Sequence, residues 1–111
     1  MRPAAQALAL LALAGCEQGG EADPRIAAPP ARYRVAVTAV VRLADIGEVD
    51  RVCRQLGATR GQDQRVEACF EPSSRMIVLP APWSMSPVRW VQVAVHEFGH
   101  AAGWPGDHPR E

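Results

Sequence analysis

The chain has 111 residues, with 12 basic and 12 acidic side chains and no net charge. That length holds one domain at most, and the charge balance removes any electrostatic ground for nucleic acid or an anionic lipid surface as a partner. All the basic residues are Arg, and beyond the N-terminal region no stretch is long and apolar enough to span a bilayer.

Met1-Arg2 supplies a minimal positive start, and an apolar run from Ala7 to Ala14 follows. The run is too short for a transmembrane helix and reads as a signal peptide. It leads into Leu13-Ala14-Gly15-Cys16, which is similar to the lipobox of bacterial lipoproteins. The resemblance implies a signal peptide over residues 1–15, cleavage before Cys16, and lipidation of Cys16, which makes the membrane a partner through an N-terminal anchor. Glu17 stands where similar Gram-negative lipoproteins carry an Asp that retains them at the inner membrane. Its presence implies the outer membrane, facing the periplasm, if the source is Gram-negative, and the outer face of the plasma membrane if it is Gram-positive.

Three cysteines is an odd count, which an exported protein must explain. With Cys16 lipidated, Cys53 and Cys69 remain as a pair in a compartment where disulfides persist. Their bridge would close a loop of about 15 residues and contribute roughly 3 kcal/mol. Two unpaired buried thiols are the other reading, and the spacing does not resemble a zinc pair.

Residues 16–31 are rich in Gly, Glu, Ala and Pro with few large apolar groups, a composition that predicts a flexible tether. The folded domain is then expected over residues 32–111, small enough that a disulfide and a metal would both help it. Tyr33, Val35, Val37, Ala39 and Val41 alternate with more polar neighbours and predict a strand. Ile46, Val49, Val52, Cys53 and Leu56 recur at helical spacing, and Gly57 would end that helix. Thr59 to Gln64 reads as loop. Val66–Phe70 and Arg75–Leu79 read as strands split by the Pro72-Ser73-Ser74 turn.

Ser86 is an N-cap candidate with Pro87 at the first helical position. The last helix is expected from Pro87 to Ala102, stopped by Gly103, with Val91, Val95, Phe98 and Ala102 as its core positions. The order β-α-β-β-α makes the fold class α+β.

The chemistry lies in His96-Glu97-Phe98-Gly99-His100. Residues four apart share a helix face, so both imidazoles can reach one metal ion, with Glu97 beside them as the proton acceptor. A shuffled chain of this composition would contain only about 0.005 such motifs, and His108 follows shortly after.

The segment resembles the metzincins, and their matrixin branch in particular, whose motif is His-Glu-x-x-His-x-x-Gly-x-x-His. His96, Glu97, His100 and Gly103 fall in register. The third His would fall at Gly106, and Trp104-Pro105-Gly106-Asp107-His108 looks like the matrixin turn with two residues inserted. The resemblance covers residues 96–108. It implies a minimal zincin-like domain with the motif on the C-terminal helix, Zn2+ held by His96, His100 and His108, with Asp107 as the alternative third ligand, and Glu97 as the catalytic base. The function implied is a zinc-dependent metallopeptidase of the bacterial cell envelope acting on a peptide or protein substrate. The small size supports a second reading: a non-catalytic, zinc-stabilised lipoprotein serving as a binding or accessory module, of phage or mobile-element type. Trp83, Trp90 and Trp104 suit either a groove or packing over a thin core, and Arg75 and Arg89 suit a solvated surface.

Overall fold

The computed structural model describes residues 21–58 and 64–110. The expected signal peptide over residues 1–15, Cys16 and nearly all of the loop expected over 59–64 lie outside the described residues. In chain order the elements are a 3-10 turn (Ala31–Tyr33), β1 (Val40–Ala44), α1 (Val49–Gln55), β2 (Cys69–Glu71), β3 (Met76–Pro80), a second 3-10 turn (Pro82–Ser84) and α2 (Pro87–Ala101). This is a small α+β domain with a three-stranded sheet and two helices. Among the described residues no helix is long and apolar enough to cross a membrane.

β3 is the central strand. β1 runs parallel to it, Val40 opposite Met76 and Ala44 opposite Pro80, while β2 pairs antiparallel, Cys69 opposite Val78 and Glu71 opposite Met76. Strand side chains alternate between faces, so Ile77 and Leu79 point one way and Met76 and Val78 the other. Ile77 and Leu79 pack with Trp90, Val93, Ala94 and Ala101 of α2. Val78 packs with Val49, Val52 and Cys53 of α1 and with Val66. A strand covered on both faces must be apolar throughout, and Met76-Ile77-Val78-Leu79 meets that requirement. The Cys53–Cys69 disulfide joins α1 to β2 and contributes about 3 kcal/mol, chiefly by restricting the unfolded chain.

Three expectations shift. The alternating segment from Tyr33 does not pair as a strand until Val40. The ladder starts there because β3 does: Arg75 sits in a turn at φ 54°, and its carbonyl accepts from the Val40 amide. Residues 34–39 keep their apolar alternation without a strand to bond to, and Val37 and Ala39 pack against the core. On α2, the most buried positions are Trp90, Val93, Ala94, Glu97, Gly99 and Ala101, while of the expected core positions Val91 and Phe98 pack against the core only partly buried, and Val95 and Ala102 are half-buried. The helix carries apolar residues around much of its circumference, and the position of the sheet selects the stripe. Arg75 and Arg89 are not simply solvated. Arg75 donates to the Thr38 and Ala101 carbonyls, and Arg89 bridges Asp23 and Glu67.

The β2–β3 turn is closed by Glu71, whose carboxylate accepts from the amides and hydroxyls of Ser73 and Ser74. The Ser74 and Ser73 hydroxyls, then their amides, hold the Glu71 carboxyl down at about 2. A carboxyl lowered in the folded state adds stability above its unfolded value, near 4.5, and loses that contribution as pH falls toward 2. Thermal melts between pH 5 and pH 2 should therefore decline less steeply for Glu71→Gln than for wild type; parallel declines would show that the turn carries no linkage.

Candidate metal site

α2 begins with the cap its sequence announces: the Ser86 hydroxyl accepts from the Arg89 amide and Pro87 occupies the first helical position. The buried Trp90 indole donates to the Pro80 carbonyl at 2.8 Å and fixes the helix over the end of β3. At the other end Ala102 caps the helix and Gly103 adopts φ 106°. The Gly103 amide donates to the His100 carbonyl and the Trp104 amide to the Gly99 carbonyl. This paired closure, with a left-handed glycine, reverses the chain against its own helix. Trp104 is thereby buried against the histidines, its ring stacked on His100 with centroids 4.9 Å apart. The Trp104 indole donates to the Pro109 carbonyl at 2.9 Å and holds the C-terminal turn in place. Within that turn the His108 amide donates to the Pro105 carbonyl, and His108 itself lies at φ 57°. A non-glycine residue is strained there, and here the strained backbone presents an imidazole to the helix.

The result is a cluster. His100 Nε2 lies 3.2 Å from His96 Nε2 and 3.1 Å from His108 Nε2. The ligand atoms of the three all lie within 4.8 Å of one another. The opposite ring nitrogens of two of them are committed. His96 Nδ1 lies 2.7 Å from the Ala27 carbonyl oxygen, and His100 Nδ1 2.7 Å from the Trp104 carbonyl oxygen. A carbonyl oxygen only accepts, so both Nδ1 atoms carry the hydrogen. In the neutral rings Nε2 is then a lone pair, pointed at the other imidazoles. Converging lone pairs repel unless a cation sits among them. One shared proton could relieve one pair; a metal ion relieves all three. Two nitrogens bound tetrahedrally at 2.0–2.1 Å would be separated by about 3.3 Å, close to the separations present. The residues therefore fit a metal ion. Neutral imidazoles with their far nitrogens bonded to carbonyls are the donors that zinc and its late first-row neighbours take.

Asp107, the alternative third ligand, is exposed and does not belong to the converging group; the turn presents His108 instead. Glu97 is 7% exposed. Burial pushes its carboxyl up to about 8, with desolvation as the cause. It lines the same open cleft as the three histidines, about 1090 Å³ in volume, whose lining also includes Asp23, Ala27, Glu67 and Phe70. Trp104 faces this cleft, Trp90 belongs to the core, and Trp83 is 85% exposed.

The sequence reading did not single out the contribution of residues 21–30. The Asp23 amide donates to Gln92 Oε1 at 2.7 Å, and Gln92 Nε2 donates back to the Asp23 carbonyl at 3.0 Å. Ile26 packs against the core and Pro29 is fully buried. The packed part of the chain therefore extends upstream of Arg32 as far as Asp23. The one available signal was Gly99, a helix-interior glycine that costs about 1 kcal/mol relative to Ala and so suggests a close neighbour. No family model matches the chain, and neither does any curated protein or solved structure.

Proposed function

We propose that the chain is a zinc-dependent peptidase of the bacterial cell envelope, a minimal zincin-like domain lipid-anchored through Cys16. The single observation that carries the reading is the convergence of three Nε2 atoms, two of them held in the metal-binding tautomer by backbone carbonyls. Among the described residues no fourth His, Cys, Asp or Glu joins the group. Three protein ligands leave a coordination position open, which is the arrangement of catalytic rather than structural zinc.

His96, His100 and His108 would hold the ion, and Asp107 stays outside the set. When bound, zinc supplies Lewis acidity, lowering the pKa of water toward 7 and polarising a carbonyl. The remaining chemistry belongs to the chain. Glu97 lies in the cleft at the motif and is the only carboxylate of the motif helix. It takes a proton from the attacking water onto its carboxylate and returns it to the amine nitrogen as the peptide bond breaks. β2, an edge strand of the sheet, lends Cys69 and Phe70 to the lining of the cleft, and an extended peptide suits such an edge. The substrate class is therefore peptide or protein. Cys16 followed by Glu17 supports anchoring at the outer membrane, facing the periplasm, in a Gram-negative source.

A second reading has its own observation. His108 stands beyond α2 in the C-terminal turn, so a metal would also clip that turn to the helix, as a stabilised binding or accessory module requires. Incubation of the zinc-loaded full chain with denatured casein separates the two. The enzyme reading expects new peptide N-termini, lost on chelation and restored by zinc. Intact casein beside a zinc-loaded, folded chain would favour the binding module.

A further inference from the structure

The segment from Asp23 to Pro29 runs alongside α2 in the same direction and touches it at three heights. At the first, Asp23 exchanges two backbone hydrogen bonds with the Gln92 amide, and its carboxylate accepts from Arg89 Nε at 3.2 Å. At the second, His96 Nδ1 donates to the Ala27 carbonyl at 2.7 Å. At the third, Pro29 sits over Gly99 so closely that a Cβ on Gly99 would lie 2.7 Å from Pro29 Cβ and 2.8 Å from its Cγ. Arg34 Nε donates to the Pro29 carbonyl at 2.7 Å and holds the far end. The strap thus crosses the helix at the glycine of the motif and bonds the first histidine of the motif one turn earlier. His100 takes its orienting carbonyl from Trp104, on the neighbouring C-terminal turn, whereas His96 takes its own from a segment 69 residues away.

We propose that the strap Asp23–Pro29 is a positioning part of the metal site, coupling metal affinity to docking of the chain that leads from the N-terminal region. The inference rests on the reading of the three histidines as metal ligands. Its physical content is that the Ala27 carbonyl fixes both the tautomer and the plane of His96. With the strap displaced, the ring regains rotation and the alternative tautomer, and the ion loses a preset donor. Outer partners of this kind are worth about 10- to 100-fold in metal affinity. Coupling is reciprocal, so metal loading must in turn hold the strap down. Asp23 follows Cys16 by seven residues in the sequence, so release or docking at the N-terminal side would be transmitted to the site.

The test measures zinc affinity of the full chain by competition with a chromophoric chelator, in wild type, Gly99→Ala, Gly99→Ala/Pro29→Gly, Gln92→Ala and Val52→Ala. Gly99→Ala pushes the strap off; Pro29→Gly removes the atoms it strikes. Gln92→Ala unfastens the strap at Asp23, away from the Pro29–Gly99 contact, which keeps the test open if Gly99→Ala fails to fold. Val52→Ala, in the α1 core, lowers stability without touching the strap. The expected result is about a tenfold loss in Gly99→Ala, recovery in the double variant, a loss of at least about threefold in Gln92→Ala, and no change in Val52→Ala. Trypsin supplies the reciprocal readout: cleavage after Arg25, whose side chain is 84% exposed, should slow on zinc loading. Wild-type affinity in both Gly99→Ala and Gln92→Ala, or no recovery in the double variant because Trp104 Cε3 at 3.1 Å is the neighbour that matters, would overturn the strap's role alone. A folded wild type that binds no zinc would overturn the three-histidine site together with it.

Discussion

Glu97→Gln should lower kcat for peptide hydrolysis by about 10²- to 10⁴-fold while zinc is still bound at one per chain. The magnitude is that of general acid–base catalysis and corresponds to about 3–5 kcal/mol of barrier. Gln keeps the volume and planarity of the side chain, so it fits the 7% exposed position of Glu97, but it cannot accept and return a proton. The histidines keep their carbonyl partners, because Ala27 and Trp104 supply these independently of residue 97. The informative pairing is lost turnover with retained metal. A variant that cleaves at the wild-type rate would remove Glu97 from the chemistry and leave a metal site without its base.

Chelation of the zinc-loaded chain should lower Tm by roughly 15–30 °C. Zinc at about 1,000 times its Kd stabilises the folded state by about 4 kcal/mol, and each kcal/mol moves the Tm of a domain this small by about 4–8 °C. The site spans two parts of the chain: α2 carries two histidines, and the C-terminal turn carries the third on a strained backbone at φ 57°. An ion therefore stabilises the turn as well as the helix, and the strap through His96. His96→Ala should melt where the chelated wild type melts and ignore chelator. A shift under about 2 °C in wild type would mean that the cluster holds no ion of consequence to the fold.

The legible part of the site was the part written in local spacing. His96 and His100 are four apart on a helix whose start is announced by Ser86-Pro87 and whose end is announced by Gly103, and the structure uses each of these signals. Cys53 and Cys69 were legible as the pair that remains once Cys16 is set aside, and they are bonded. Long-range selection was not legible. The apolar surface of α2 is broad, so periodicity placed the core one position away from the stripe the sheet selects. The alternation from Tyr33 to Val41 marks Val37 and Ala39, which pack against the core, but also Val35 and Val41, which are exposed, and it does not tell whether β3 is long enough to pair with the segment. Residues 21–30 offer one large apolar side chain, Ile26, and otherwise dock through the Asp23 backbone on the Gln92 side chain, one buried proline and a missing Cβ at Gly99, which together leave no periodic hydrophobic pattern. Asp107 and His108 could not be separated by spacing, because the outcome depends on a left-handed residue in the turn.

Elemental analysis of the purified full chain, wild type beside His108→Ala, tests the central claim most directly. The three-histidine site predicts one zinc per chain in wild type and clearly substoichiometric zinc in His108→Ala after the same dialysis, with both proteins folded by circular dichroism. A folded wild type without zinc, or a His108→Ala chain that keeps its full complement, would contradict it.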